Sequence, residues 1–242
     1  MTDVEINDLL IRRFLQTQTF YGRIRLKIAA RWKQFSWRVV ISFALLLKRS
    51  FDFMASLIFL LVFSPLFLLI AVLIKLEDDG PIFFPQIRVG RFGREFKMWK
   101  FRSMCHNAES KIKDMIEKNQ HKEGITFKIK NDPRVTRTGK WLRKFSLDEF
   151  PQFFNVLKGD MSLVGPRPSI PREVSRYTLA DRRRLSVTPG ITCFWQIGGR
   201  SEIDFSDQVR LDVHYIQSQS FWLDIKILVQ TVPAVLSSKG AY

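Results

Sequence analysis

Between Phe53 and Ile74 the chain reads FMASLIFLLVFSPLFLLIAVLI, 22 residues without a charge. An apolar run longer than about 18 residues can enter a bilayer, and in hydrocarbon a helix satisfies its own backbone polar groups. Two features argue against a simple crossing. Ser64-Pro65 lies at the midpoint, where Pro65 lacks an N–H and clashes with the carbonyl one turn back. The helix should bend there, with Ser64 able to satisfy the freed group. Basic residues also crowd both flanks, from Arg12 to Arg49 upstream and from Lys75 to Arg102 downstream. Lysine and arginine favour the cytoplasmic side, so one crossing satisfies one flank, whereas a helix that enters a leaflet, turns and returns satisfies both. The expectation is a re-entrant helix-break-helix over residues 48–76, broken at Ser64 and Pro65. A straight spanning helix kinked at Pro65 stays open as the alternative.

The charge balance, 39 Lys and Arg against 23 Asp and Glu, gives a net charge of +16 and a pI near 10.2. The expected partners are therefore anionic: phospholipid headgroups, nucleotides, phosphorylated lipids or nucleic acid. Charge alone does not choose among them; the apolar run favours a membrane. Cys105 and Cys193 have neither metal-ligand spacing nor the density of a disulfide scaffold, and both read as reduced thiols. The acidic start, Met1 to Glu5, has no signal-peptide pattern, so neither cleavage nor export is expected.

Residues 1–47 interleave Arg and Lys with Tyr21, Trp32, Phe35 and Trp37, followed by apolar Val39 to Leu47. Such a segment suits the headgroup boundary, with a short membrane-dipping segment as the other option. Residues 77–242 read as a single catalytic domain. Ile82 to Phe84 and Glu95 to Phe101 read as the strands of a small hairpin turning at Arg88 to Gly93. Helices are expected over 107–120, 138–144, 147–157, 170–177, 180–185, 204–217 and 221–236, with a loop over 121–132.

The most informative stretch is Trp141 to Gln152, which sets Asp148 and Glu149 in a basic neighbourhood. Ser146-x-x-Glu149 fits a helix capping box, although Pro151 then falls where a donor is wanted unless the helix begins a residue later. The functional reading coexists with capping. A carboxylate at a helix start near Arg143 and Lys144 should resist protonation and face a site where phosphate also binds. An ionised Asp can attack phosphorus and divide one transfer between anions into two steps, provided arginines and a divalent cation offset the repulsion. Arg167, fixed between Pro166 and Pro168, suits bidentate phosphate binding or a plain surface turn. In Thr188 to Arg200, the glycines, an aromatic and Arg200 suit a nucleotide pocket, while Phe194 and Trp195 also suit a core. His106, His121 and His214 make no convincing metal set.

Several segments in order carry a resemblance: Lys48-Arg49-Ser50-Phe51-Asp52, the Ser64-Pro65 break, Lys100-Phe101-Arg102-Ser103-Met104, Ser146-Leu147-Asp148-Glu149, Lys158 to Pro168, and Pro189-Gly190-Ile191-Thr192. From about Lys48 to the C-terminus the chain resembles the bacterial sugar transferases, the monotopic phosphoglycosyl transferases. The resemblance implies a mainly α monotopic membrane protein with a re-entrant helix, a small β-hairpin and a cytoplasmic α/β catalytic domain. It implies a Mg2+-dependent dyad that transfers a sugar phosphate from a UDP-sugar to undecaprenyl phosphate and releases UMP. By the same resemblance Asp148 would be the nucleophile and Glu149 its partner in metal binding or proton transfer. Arg143 and Arg167 would hold phosphates or nucleotide, and Lys100, Arg102 and Arg200 complete the candidate substrate-binding set. The expected place is the cytoplasmic face of a bacterial inner membrane, on anionic phospholipid, with a homodimer allowed and no nucleic-acid partner. Two other readings remain: a basic membrane adaptor in which Ser146 to Glu149 only cap a helix, and charge-driven nucleic-acid binding, which predicts steeply salt-dependent association.

Overall fold

The computed structural model describes residues 17–105, 132–198 and 203–236, with positions 7, 8, 11, 14, 15 and 108. Two compact units divide the chain, Met1–Ser50 and Phe51–Tyr242.

Helix α1, Phe20–Val62, runs unbroken for 43 residues. The Thr19 hydroxyl accepts the Gly22 N–H at 3.1 Å, satisfying one of the donors that a helix start leaves free. Between Phe35 and Val62 there is neither glycine nor proline, so nothing interrupts the backbone ladder. The helix therefore continues through position 47, the boundary expected between the N-terminal segment and the membrane helix. Within the first unit its apolar side chains, including Tyr21, Trp32, Phe35, Trp37 and Phe43, are exposed.

The chain breaks where the sequence says it should. Helix α2, Ser64–Glu77, follows at a bend of 60°. Pro65 lies in its first turn, where no N–H is needed. The Leu61 carbonyl, which an N–H at position 65 would have served, instead accepts the Ser64 hydroxyl at 2.8 Å. Among the described residues no single helix is long and apolar enough to cross a membrane; α1 and α2 qualify only as a bent pair.

Strands β1, Phe83–Val89, and β2, Glu95–Phe101, form the antiparallel hairpin, with Phe83 opposite Phe101 and Val89 opposite Glu95. Its turn is closed by Gly90 N–H to the Arg94 carbonyl at 2.8 Å, with Phe92 and Gly93 both at positive φ. Alternation along β2 has a direct consequence for the site. Phe96 and Met98 face the core, so Lys100 shares their face and must find an anion there.

The remaining elements are α3, Arg137–Lys144; α4, Gln152–Lys158; β3, Ser162–Val164; α5, Pro171–Val174; β4, Gly190–Thr192; α6, Phe194–Gly198; α7, Phe205–Ser218; and α8, Phe221–Leu236. The helix expected over 170–177 is only the single turn of α5, and that over 180–185 is a 3-10 segment, Asp181–Ser186. The expected helix over 107–120 and loop over 121–132 lie outside the described residues, apart from Ala108 and Asp132. The parallel pair β3–β4 was not anticipated, because Gly165-Pro166 and Pro189-Gly190 look like turns and nothing more. Those glycines let two backbones meet: a Cβ on Gly190 would lie 2.1 Å from Gly165 N. Gly190→Ala should therefore cost about 3 kcal/mol, read as a lower denaturation midpoint with unchanged slope.

The main core of the second unit gathers Phe96, Met98, Val156, Met161, Leu163, Val164, Tyr215 and Ile227. At about 2 kcal/mol per fully buried large side chain, this cluster fixes β2, α4, β3, α7 and α8 together. A second cluster, Ile70, Ile74, Phe101 and Leu142, joins α2 to β2 and α3, with Leu147 and Phe150 packed against it. Phe59 of α1 stacks on Phe153 at 3.8 Å, and Phe150 meets its edge at 4.9 Å. Residues on both sides of Asp148-Glu149 thus rest on the bent helix pair.

Candidate active site

Asp148 and Glu149 lie in a 3-10 turn, Leu147–Glu149, between α3 and α4. The expected capping box does not form: Ser146 is left-handed at φ 56° and its side chain makes no cap hydrogen bond. The expected helix over 147–157 starts only at Gln152, with Pro151 as its N-cap residue. Proline supplies no amide donor, so the chain takes a tight turn first and becomes helical after it. Asn155, buried in α4, accepts the Trp99 N–H at 3.0 Å and donates to the Lys97 carbonyl at 2.7 Å. Those bonds register α4 against β2 and set Lys100 opposite the turn.

Glu149 is gripped twice. Its Oε1 accepts from Lys100 Nζ at 2.8 Å and from Arg167 Nη2 at 2.8 Å, while its side chain is only 17% exposed. Burial opposes ionisation, but Arg167 and Lys100 outweigh it and hold the carboxyl well below the usual range. Glu149 in turn raises the affinity of Arg167 for its proton. The pair is fixed as two ions.

Asp148 differs. Among the described residues no hydrogen bond reaches its carboxylate, which faces the charges of Lys100, Arg143 and Arg167 across space. Burial pushes its pKa up to about 6, Lys100 pulls it down, and the neighbouring Glu149 charge adds to the rise. This corrects the expectation that helix-start position and nearby cations would depress protonation. The residue is 9% exposed, and loss of hydration outweighs attraction by cations that do not touch it.

Arg143 of α3 donates its Nε to Ser103 Oγ at 2.9 Å and contributes charge beside Asp148. Lys100, Arg143, Arg167 and the two acids are therefore one cluster. Arg102 turns elsewhere, donating to the Asp78 carbonyl at 2.8 Å beside the end of α2. Arg200 lies outside the described residues, as do His106 and His121. Three contributors escaped the sequence reading. Arg88 donates to the Pro168 carbonyl at 3.0 Å, and burial followed by repulsion from Arg167 lowers its pKa to about 10. Gln196, in the amide orientation that satisfies both of its ends, accepts from Arg167 Nη1 at 2.8 Å. Ser103 lies within the Lys100-Phe101-Arg102-Ser103-Met104 segment, and only the fold shows that it meets Arg143. Gln196 also sat in a motif already singled out; only the fold shows that it faces Arg167.

The profile of the bacterial sugar transferases matches residues 43–238, which contain every element of this cluster. The chain belongs to the bacterial sugar transferase family. It is 48% identical over 198 residues to the galactosyl transferase CpsE of Streptococcus agalactiae, covering 81% of this chain and 44% of that protein. It is 43% identical over 198 residues to the exopolysaccharide production protein ExoY of Rhizobium meliloti, covering 81% of this chain and 88% of that one. With the undecaprenyl-phosphate galactose phosphotransferase of Salmonella typhimurium it shares 42% identity over 199 residues, 81% of this chain and 42% of the relative. This sugar transferase thus spans less than half the length of two of these relatives and most of the third.

The two acids are also the groups that a divalent cation would meet here. Among the described residues no group of three or more His, Cys, Asp or Glu could cage a metal. Mg2+, however, usually takes one or two carboxylates and fills its other positions with water and substrate phosphate. Both Asp148 oxygens and Glu149 Oε2 are left without hydrogen bonds among the described residues, which suits that binding mode.

Proposed function

We propose that the chain transfers a sugar 1-phosphate from a UDP-sugar to undecaprenyl phosphate, releases UMP, and so begins assembly of an exopolysaccharide, O-antigen or related glycoconjugate. One observation carries the reading: the adjacent acids have opposite environments, Glu149 pinned by two cations and Asp148 buried without a hydrogen bond among the described residues. A pinned carboxylate suits positioning, and an unbonded one suits attack.

In the first step an Asp148 oxygen attacks the sugar-linked phosphorus of the donor. The bond from that phosphorus to the bridging oxygen breaks, UMP leaves with the electron pair, and an aspartyl phosphosugar remains. In the second step a phosphate oxygen of the polyprenyl acceptor attacks the same phosphorus, forms the new pyrophosphate and frees the Asp148 carboxylate. Arg143 and Arg167 offset the negative charge that gathers at phosphorus, and Lys100 holds Glu149 in register. Asp148 and Glu149 would hold Mg2+, whose charge would offset that of the donor pyrophosphate. The helix pair α1–α2 would dip into the cytoplasmic leaflet of the inner membrane and return, with residues 20–47 on anionic lipid.

Purified protein in nanodiscs, given Mg2+, undecaprenyl phosphate and a panel of UDP-sugars, should release UMP with at least one donor. Intact-protein mass spectrometry with that donor alone should show one sugar phosphate added, mapped to Asp148. Release without an adduct would leave a single-step transfer; no release with any donor would remove the reading. For topology, Lys33→Cys and Arg94→Cys, both exposed positions, in a Cys105→Ser background should react with an impermeant reagent from the same face. Opposite faces would favour a spanning helix.

A further inference from the structure

Two acids outside the reacting cluster stand at the two ends of the helix pair. Near its start in the second unit, Asp52 of α1 is 3% exposed. Its Oδ2 accepts the Ser162 hydroxyl at 2.7 Å and its Oδ1 accepts the Leu163 N–H at 3.3 Å. Both donors belong to β3. At the other end Glu77, the last residue of α2, accepts the Arg137 N–H at 2.7 Å through Oε1 and the Thr138 N–H at 2.9 Å through Oε2. Those are the first two donors of α3, which a helix cannot satisfy within itself.

Each clamped element delivers one arginine to the site. From β3 the chain runs through Gly165 and Pro166 directly into Arg167, and α3 carries Arg143. The path from Asp52 to Arg167 leaves little slack. Gly165 N–H bonds the Thr192 carbonyl at 3.0 Å, Gly190 N–H bonds the Pro166 carbonyl at 2.9 Å, and the two glycine backbones are in contact. The Tyr215 hydroxyl lies 3.1 Å from the Val164 carbonyl and 2.7 Å from Asp224. The strand is thus held by α1, α7 and α8 together.

We infer that Asp52 and Glu77 are positioning residues, carboxylate clamps through which the bent helix pair sets Arg167 and Arg143 around the Asp148–Glu149 turn. The inference rests on the transferase reading for its kinetic consequence and on hydrogen bonding alone for its structural one. Toward β3, Asp52 acts as a two-oxygen acceptor. Asparagine can keep the arrangement: its oxygen accepts the Leu163 N–H, and its amide donates to Ser162, whose hydroxyl proton turns to the Val164 carbonyl 3.0 Å away. Leucine, of similar size, keeps neither bond.

The test uses the full chain in nanodiscs as Asp52→Leu, Asp52→Asn and Glu77→Leu, with kcat expressed per folded molecule. Asp52→Leu should lower kcat by about 10²-fold, because an ångström of misplacement costs that much, while donor KM changes far less. Asp52→Asn should stay within about threefold of the unmutated chain. Amide exchange at Leu163 and Gly165 should rise about tenfold or more in Asp52→Leu, and at Arg137 and Thr138 in Glu77→Leu. Unchanged exchange in the leucine variants removes the clamps. Faster exchange with unchanged kcat per folded molecule, or equal losses in Asp52→Leu and Asp52→Asn, removes their control of the site. If the unmutated chain turns over no donor, the transferase reading fails and the exchange data decide the clamps by themselves.

Discussion

Asp148→Asn should abolish transfer, lowering kcat by about 10⁴-fold or more, while the protein becomes more resistant to heat. The first effect follows from removing the attacking atom: the amide has the same shape but no nucleophilic oxygen pair. The second follows from the sign of the pKa shift. Burial raises the native Asp148 pKa from 3.8 to about 6, so its ionised form is disfavoured in the folded chain. That penalty is absent below pH 3.8, grows as pH rises to about 6, and persists in full above it. At pH 7 the asparagine variant escapes the penalty, and its melting midpoint should exceed that of the unmutated protein. The same shift shapes the rate: kcat/KM should climb with pH through about 6 as Asp148 ionises, and level above it. A variant that is both inactive and less stable would mean that the carboxylate has partners in the protein other than charge across space.

Arg167→Gln is expected to lose both stability and rate, for a different reason. Glu149 depends on Arg167 and Lys100 together to remain ionised under burial. Truncating one member of such a pair leaves a buried charge short of a partner and costs about 3 kcal/mol. Separately, loss of the positive charge from the phosphate site should lower kcat/KM by about 10²-fold. The pH dependence of stability provides a check. A depressed carboxylate stabilises the fold fully above its unfolded value of 4.5 and loses that stabilisation as pH falls toward the lowered native value. The unmutated protein should therefore lose stability below about pH 4.5 more steeply than Arg167→Gln, which has already forfeited most of that contribution. Chemical denaturation at about pH 7 and about pH 3.5, on either side of that value, measures both. Arg167→Lys, which keeps the positive charge but loses the planar fork, should rescue part of the stability and little of the rate.

Much of this protein is fixed by local chemistry and could be read from the residues alone. The break at Ser64-Pro65 needs only a missing N–H, a free carbonyl and a hydroxyl one residue away, and it forms that way. The hairpin follows from alternation and a glycine turn, and α7 and α8 follow from their periodic apolar positions. The acids in their basic setting were legible too, because motif order survives whatever the fold does. What the tertiary structure decided is the difference between the two acids. Asp148 and Glu149 are neighbours in sequence with the same cations nearby, yet Glu149 is pinned by Lys100 and Arg167 while Asp148 is desolvated and, among the described residues, without a hydrogen bond. That outcome depends on Lys100 facing inward from β2 and on Arg167 arriving from the β3–β4 pair, contacts between residues 18 and 49 positions apart in the chain. Desolvation and ion pairing are properties of where groups end up, and no window of sequence contains them.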